Sequence, residues 1–142
     1  MRSRSLVMAS LLLFVFFVPA LEPGASQSAE ENARSAARKW TTLVDEGRYA
    51  ESWDKASQIF RAAVRKDQWV KSLETARKPL GKVIRRNLKS EQYTTSLPGA
   101  PDGKYVVIQY ETSFQNKMSA IETVTPSLER DGIWRVSGYY IR

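Results

Sequence analysis

Tyr105-Val-Val-Ile-Gln-Tyr-Glu-Thr-Ser-Phe114 alternates with the period of a β-strand. Successive strand side chains point to opposite faces, so Val106, Ile108, Tyr110, Thr112 and Phe114 share one face, opposite Tyr105, Val107, Gln109, Glu111 and Ser113. The first set is the expected core face. Upstream, Val83 to Leu97 reads as a long first strand, closed by Pro98-Gly-Ala-Pro-Asp-Gly103, whose prolines and glycines suit a loop. Downstream, a turn near Asn116-Lys117 leads into a third strand from Ser119 to Glu129. Arg130-Asp131-Gly132 then turns the chain into a fourth, Ile133 to Ile141. In that last strand Trp134, Val136, Gly138 and Tyr140 are expected on one face, with Ile133, Arg135, Ser137, Tyr139 and Ile141 on the other.

The first half has a different period. Ala36, Ala37, Trp40, Leu43 and Val44 recur at three- and four-residue steps, as on one face of a helix, and Gly47 supplies a stop. Tyr49, Ser52, Trp53 and Ala56 repeat the spacing, and Ser57 opens a short piece carrying Ile59, Phe60, Ala63 and Val64. A third substantial helix is expected from about Lys66 to Lys78, with Trp69, Val70, Leu73 and Ala76 inward, ended by Pro79 and Gly81. Helical segments followed by four antiparallel strands define an α+β fold, with three helical segments packed on one four-stranded sheet.

Arg2 and Arg4 precede an uncharged apolar run from Leu6 to Val18, followed by Pro19, Pro23 and small residues. A spanning helix needs about 20 apolar residues, so this run reads as a cleaved signal peptide, not an anchor. The expected division is residues 1–26 as signal and 27–142 as a single domain, in the periplasm or secreted. Ser28 and Glu31 have the spacing of a capping box, which favours cutting after Ser26. The absence of cysteine excludes a thioether lipid and any disulfide.

Without the leader the chain carries a net charge of +6, and residues 61–89 alone carry +8, from ten basic side chains against Asp67 and Glu74. Such a stretch is either a solvated face or an attractor of anionic partners. Lys82, Arg85, Arg86 and Lys89 are the candidate contacts with an anionic membrane surface. Trp69 lies among the basic residues but is in phase with Leu73 and Ala76, which makes it core, and an exported protein implies no nucleic acid partner.

Several strings resemble one bacterial exported family, domain of unknown function 4019. They are Trp40-Thr-Thr-Leu-Val-Asp-Glu-Gly-Arg-Tyr49, Ser52-Trp-Asp-Lys-Ala-Ser57, Gln68-Trp69, Leu97-Pro-Gly-Ala-Pro-Asp-Gly103, Glu122-Thr-Val-Thr-Pro126 and Gly132-Ile-Trp-Arg-Val-Ser-Gly-Tyr-Tyr140. The resemblance covers about residues 33–142. It implies a nuclear-transport-factor-2-like (cystatin-like) cone, in which helices fill the concave side of a curved sheet, and it implies no established activity. Cone folds often dimerise through the exposed sheet, which makes a homodimer a further implication. Arg65 departs from the pattern, standing where a serine or threonine is expected to cap the third helix.

With no histidine and no cysteine, Ser-His-Asp and Cys-His catalysis are excluded, as are the usual zinc sites. No catalytic residue, metal ligand or cofactor is assigned. Glu122 alternates in phase with Ala120, Val124 and Leu128, so it falls inside if that face meets the helices, and Arg86, in phase with Ile84 and Leu88, is its candidate partner. Two readings fit: an ion pair that sets strand register, or a ligand contact. Asp54, beside Trp53, is a second carboxylate next to an apolar helix face. Trp40, Trp53, Trp69, Tyr110, Trp134 and Tyr140 form either a plain core or an aromatic cavity, and Tyr105 and Tyr139 are the candidates for a self-association surface. Candidate ligand contacts are therefore Glu122, Arg86, Tyr110, Trp53 and Tyr140. The expected role is a non-catalytic module binding a small ligand or an envelope protein. The alternatives are a small lyase or isomerase using a carboxylate in the cone, or docking on anionic surfaces.

Overall fold

A computed structural model describes residues 24–142 of the chain. The expected apolar leader segment from Leu6 to Val18 lies outside the described residues. Four helices, α1 (Ala25–Asp45), α2 (Tyr49–Asp54), α3 (Gln58–Ala63) and α4 (Lys66–Ala76), precede β1 (Val83–Thr94), β2 (Tyr105–Phe114), β3 (Lys117–Leu128) and β4 (Trp134–Ile141). A single 3-10 turn, Lys78–Leu80, joins the two halves. The strands form one antiparallel sheet in the order β1-β2-β3-β4, so each strand pairs with its neighbour in sequence. The α+β expectation is met.

Local chemistry explains most boundaries. Gly47 takes φ +74°, and the Gly47 and Arg48 amides donate to the Val44 and Leu43 carbonyls, a Schellman stop that a side chain at this φ would strain. Ser57 caps α3 by accepting from the Phe60 amide at 3.2 Å. Arg65 is the N-cap of α4 but makes no side-chain cap, its guanidinium turning to Asp67 at 2.8 Å. Two helical expectations are corrected. The first helix begins at Ala25 with Gly24 as its N-cap, so Ser28 and Glu31 lie within the helix, since nothing between Ala25 and Ser28 breaks helical geometry. Ala76 is exposed because α4 ends there and the chain turns away from the sheet.

The core lies between the helices and one face of the sheet. Ala33, Ala37, Trp40 and Val44 of α1 meet Val106, Ile108 and Tyr110 of β2, Val124 of β3 and Val136 of β4. Phe114 and Thr112 are also buried, so the whole expected core face of β2 points inward. Each large apolar side chain buried here contributes about 1.5–3 kcal/mol.

The expected phase of β4 holds only for its first half. Thr125 pairs with Gly138 but Pro126 pairs with Val136, so Ser137 is an extra residue on β4. Pro126 has no N–H for the ladder, and the register shifts at that residue. Beyond the bulge the alternation inverts. Tyr139 turns toward the helices, and Tyr140 turns to solvent with 55% of its surface exposed. The inward assignment of Tyr140 is thus overturned. So is the self-association reading of Tyr105 and Tyr139: Tyr105 is buried, donating to the Pro101 carbonyl at 2.5 Å, and Tyr139 belongs to the interior.

Candidate functional site

Glu122 is fully buried and is held by three strands at once. Oε1 accepts from Arg86 Nε at 2.8 Å and Thr112 Oγ1 at 2.5 Å, and Oε2 accepts from Tyr139 OH at 2.6 Å and Arg86 Nη2 at 3.1 Å. Those four bonds occupy all of the lone-pair positions of a carboxylate. The other side of Arg86 clamps Asp45 at the end of α1, Nη1 donating at 2.7 Å and Nη2 at 3.0 Å. Asp45 also receives Arg77 Nη2 at 3.2 Å, while Arg77 Nη1 donates to the Gly81 carbonyl and its guanidinium stacks on Phe114 at 4.6 Å. Two carboxylates and two guanidiniums thus form a neutral chain tying α1, the end of α4, β1 and β3 together.

The electrostatics follow from that enclosure. Burial opposes the charge on Arg86, but its hydrogen bonds to Asp45 and Glu122 outweigh the desolvation and hold the guanidinium above its already high range. Burial, reinforced by the Glu122 charge, pushes the Tyr139 phenol well above its usual value. With four hydrogen bonds the acceptor positions of the Glu122 carboxylate are all filled from within the protein, and the arrangement ties the strands to the end of α1.

The candidate residues separate into different places. Glu122, Arg86 and Tyr110 come together, Tyr110 being the cross-strand neighbour of Glu122. Trp53 lies at the α2–α4 end, donating to the Val64 carbonyl at 2.7 Å beneath the cations of Arg61 and Lys66. Tyr140 is on the outer sheet face. Asp54 is exposed and paired with Lys66 at 2.9 Å. Of the aromatic set, Trp40 and Trp69 are packed core: both meet Tyr139 edge-on, Phe60 meets Trp69 at 4.8 Å, and Ser52 receives both indole N–H groups. Asp45, Arg77, Thr112 and Tyr139 are the members of the clamp that sequence reasoning missed. Asp45 and Arg77 sit at helix ends, where periodicity carries no signal for a tertiary partner.

The basic stretch is not one surface. Arg77 and Arg86 are consumed by the interior clamp, Arg65 and Lys66 face Asp67 and Asp54, and Lys89 lies 3.7 Å from Glu111. Arg86 therefore leaves the set of candidate surface contacts, while Lys82 and Arg85 remain exposed on the β1 side.

A groove of about 680 Å³ opens between α1, the end of α2 and the start of β4. Ala36, Trp40 and Leu43 form its helical wall, and Ile133, Trp134 and Val136 the strand wall. Lys39, Lys55, Arg135 and Glu51 stand around it. Arg135 is held by Glu129 and Asp131, and Glu51 by Arg48; among the described residues neither Lys39 nor Lys55 has an ion-pair partner. Neither Glu122 nor Tyr139 lines this groove. Among the described residues no group of three or more acidic side chains could hold a metal ion, and no helix is long and apolar enough to cross a membrane.

Helices laid on one face of an open antiparallel sheet, clamped by a buried ionic chain and carrying a surface groove, define a small α+β domain. The chain belongs to the family described as protein of unknown function DUF4019, whose model matches residues 36–139. Comparison with curated proteins finds no match.

Proposed function

We propose that this chain is an exported, non-catalytic binding module of the nuclear-transport-factor-2-like kind, which takes its ligand in the α1–β4 groove. The carrying observation is the contrast between the buried clamp and the open α1–β4 groove. The interior carboxylate Glu122 is saturated by its own neighbours, whereas the groove stands open with a volume typical of ligand sites. Export is supported by Arg2, Arg4 and the apolar run Leu6 to Val18. A curved, cone-like sheet is supported by the four register breaks distributed over the strand pairs, since each bulge bends its strand.

Native mass spectrometry on protein released from the envelope of the cell that makes it tests both parts. The expected outcome is a polypeptide shortened by the leader and carrying a retained small mass. Turnover of a substrate by the purified protein, abolished in a folded Glu122→Gln variant, would overturn the non-catalytic reading.

A further inference from the structure

We infer that the α1–β4 groove is a site for a free amphipathic anion: one aliphatic chain carrying a single carboxylate or comparable anionic head. The inference rests on the binding-module reading and names the chemical class of the ligand.

Shape comes first. The helical wall from Asn32 to Leu43 runs along α1, and at 1.5 Å rise per residue it gives the groove a length of about 16 Å. Trp40 and Leu43 on the helix and Ile133 and Trp134 on the strand side give the groove an apolar part, and Ile133 is half exposed although it is a large aliphatic residue. A trough of about 680 Å³ running along α1 suits one flexible chain.

Charge then selects the head group. The charged side chains around the groove fall into two kinds. Arg135 and Glu51 are taken up by partners within the protein, Arg135 shared between Glu129 at 2.8 Å and Asp131 at 2.9 Å, and Glu51 at 2.5 Å from Arg48, which also holds Glu46. Lys39 and Lys55 are exposed and have no such partner among the described residues, so their two ammonium groups are the charges at the groove left to pair with a ligand. An anionic head beside an apolar chain answers both features, whereas a cationic head of the same length meets repulsion.

Trp40 and Trp134 report on occupancy, as two of the four tryptophans in the chain. The test titrates the purified protein, below micelle-forming concentrations, with dodecanoate, dodecyltrimethylammonium and dodecyl maltoside, following tryptophan fluorescence and calorimetry. Dodecanoate is expected to bind at least about tenfold more tightly than the cationic amphiphile, with the difference shrinking at high salt. Lys39→Glu/Lys55→Glu, two exposed changes that leave the core intact, should reverse that order. Ala36→Phe should weaken all three by filling the trough, with unchanged circular dichroism confirming the fold. Anionic phospholipid vesicles should give no comparable signal.

Equal binding of the two charged amphiphiles, an order unchanged in the double variant, or binding only to vesicles would overturn the inference. Failure of all three amphiphiles would overturn it too, and native mass spectrometry then separates the two levels. A retained cationic or peptide mass would sink the ligand class and leave the binding module standing, while an empty protein with Glu122-dependent turnover would sink both.

Discussion

Replacing Glu122 with glutamine changes almost no volume and removes one charge from a closed electrostatic circuit. The chain of Glu122, Arg86, Asp45 and Arg77 is neutral, and the variant leaves it one positive charge in excess inside the domain. The new amide also directs N–H groups toward a site built from donors, because Thr112, Tyr139 and two nitrogens of Arg86 all point there. Removing one partner of a buried pair costs about 3–5 kcal/mol, consistent with about 4 kcal/mol for unit charges about 4 Å apart at an effective dielectric near 20. At about 4 °C per kcal/mol for a domain of this size, the thermal midpoint should fall by roughly 12–20 °C. Urea denaturation should show the loss as a lower midpoint at constant slope. Removing the pair together, as Glu122→Leu/Arg86→Met, should cost less than the two single losses added, because Asp45 and Arg77 remain matched. A Glu122→Gln midpoint within about 1 kcal/mol of the parent, or strict additivity in the cycle, would refute the claim that this clamp holds helices to sheet.

Tyr139→Phe should cost about 1–3 kcal/mol by leaving the buried carboxylate one donor short, whereas Tyr140→Phe should stay within about 0.5 kcal/mol, and matched urea curves separate them. Stability should also fall as pH rises above about 10, since unfolded tyrosine ionises there while native Tyr139 keeps its proton, so the unfolded state binds fewer protons. Urea midpoints at about pH 9 and about pH 11 should therefore lie closer together in Tyr139→Phe, although the raised phenols of Tyr49 and Tyr110 leave a residual slope. Ser57→Ala removes both the α3 cap and the acceptor for Ser137 Oγ at 2.7 Å, and a loss of about 1–2 kcal/mol is expected in thermal unfolding. Arg65→Ser supplies the cap that α4 lacks and should raise the unfolding midpoint, a result checked by the same melt.

How far these features were legible from the chain varies with the range of the interaction. The inward set of β2 and the pairing of Glu122 with Arg86 were readable, because strand alternation is a nearest-neighbour property and a buried carboxylate needs a cation. Ser57 was readable as a start signal, since a hydroxyl satisfies a free helix donor within its own turn. Asp45 and Arg77 were not, because their partners are 41 and 32 residues away and their own helices give no reason for either charge. The groove was equally hidden, its two walls lying about a hundred residues apart in the chain.

What this sequence determined by itself was the order and type of its elements, through the change from a helical to a two-residue period, together with the exclusion of imidazole and thiol chemistry. Only the tertiary structure decided which of the adjacent tyrosines, Tyr139 or Tyr140, enters the interior. Pro126 on a neighbouring strand lacks the N–H of a regular ladder, the resulting bulge adds Ser137 to β4, and one extra residue reverses the face of everything after it. Local periodicity records the alternation within a strand but not the residue across from it, and that cross-strand partner places the phenol on Glu122.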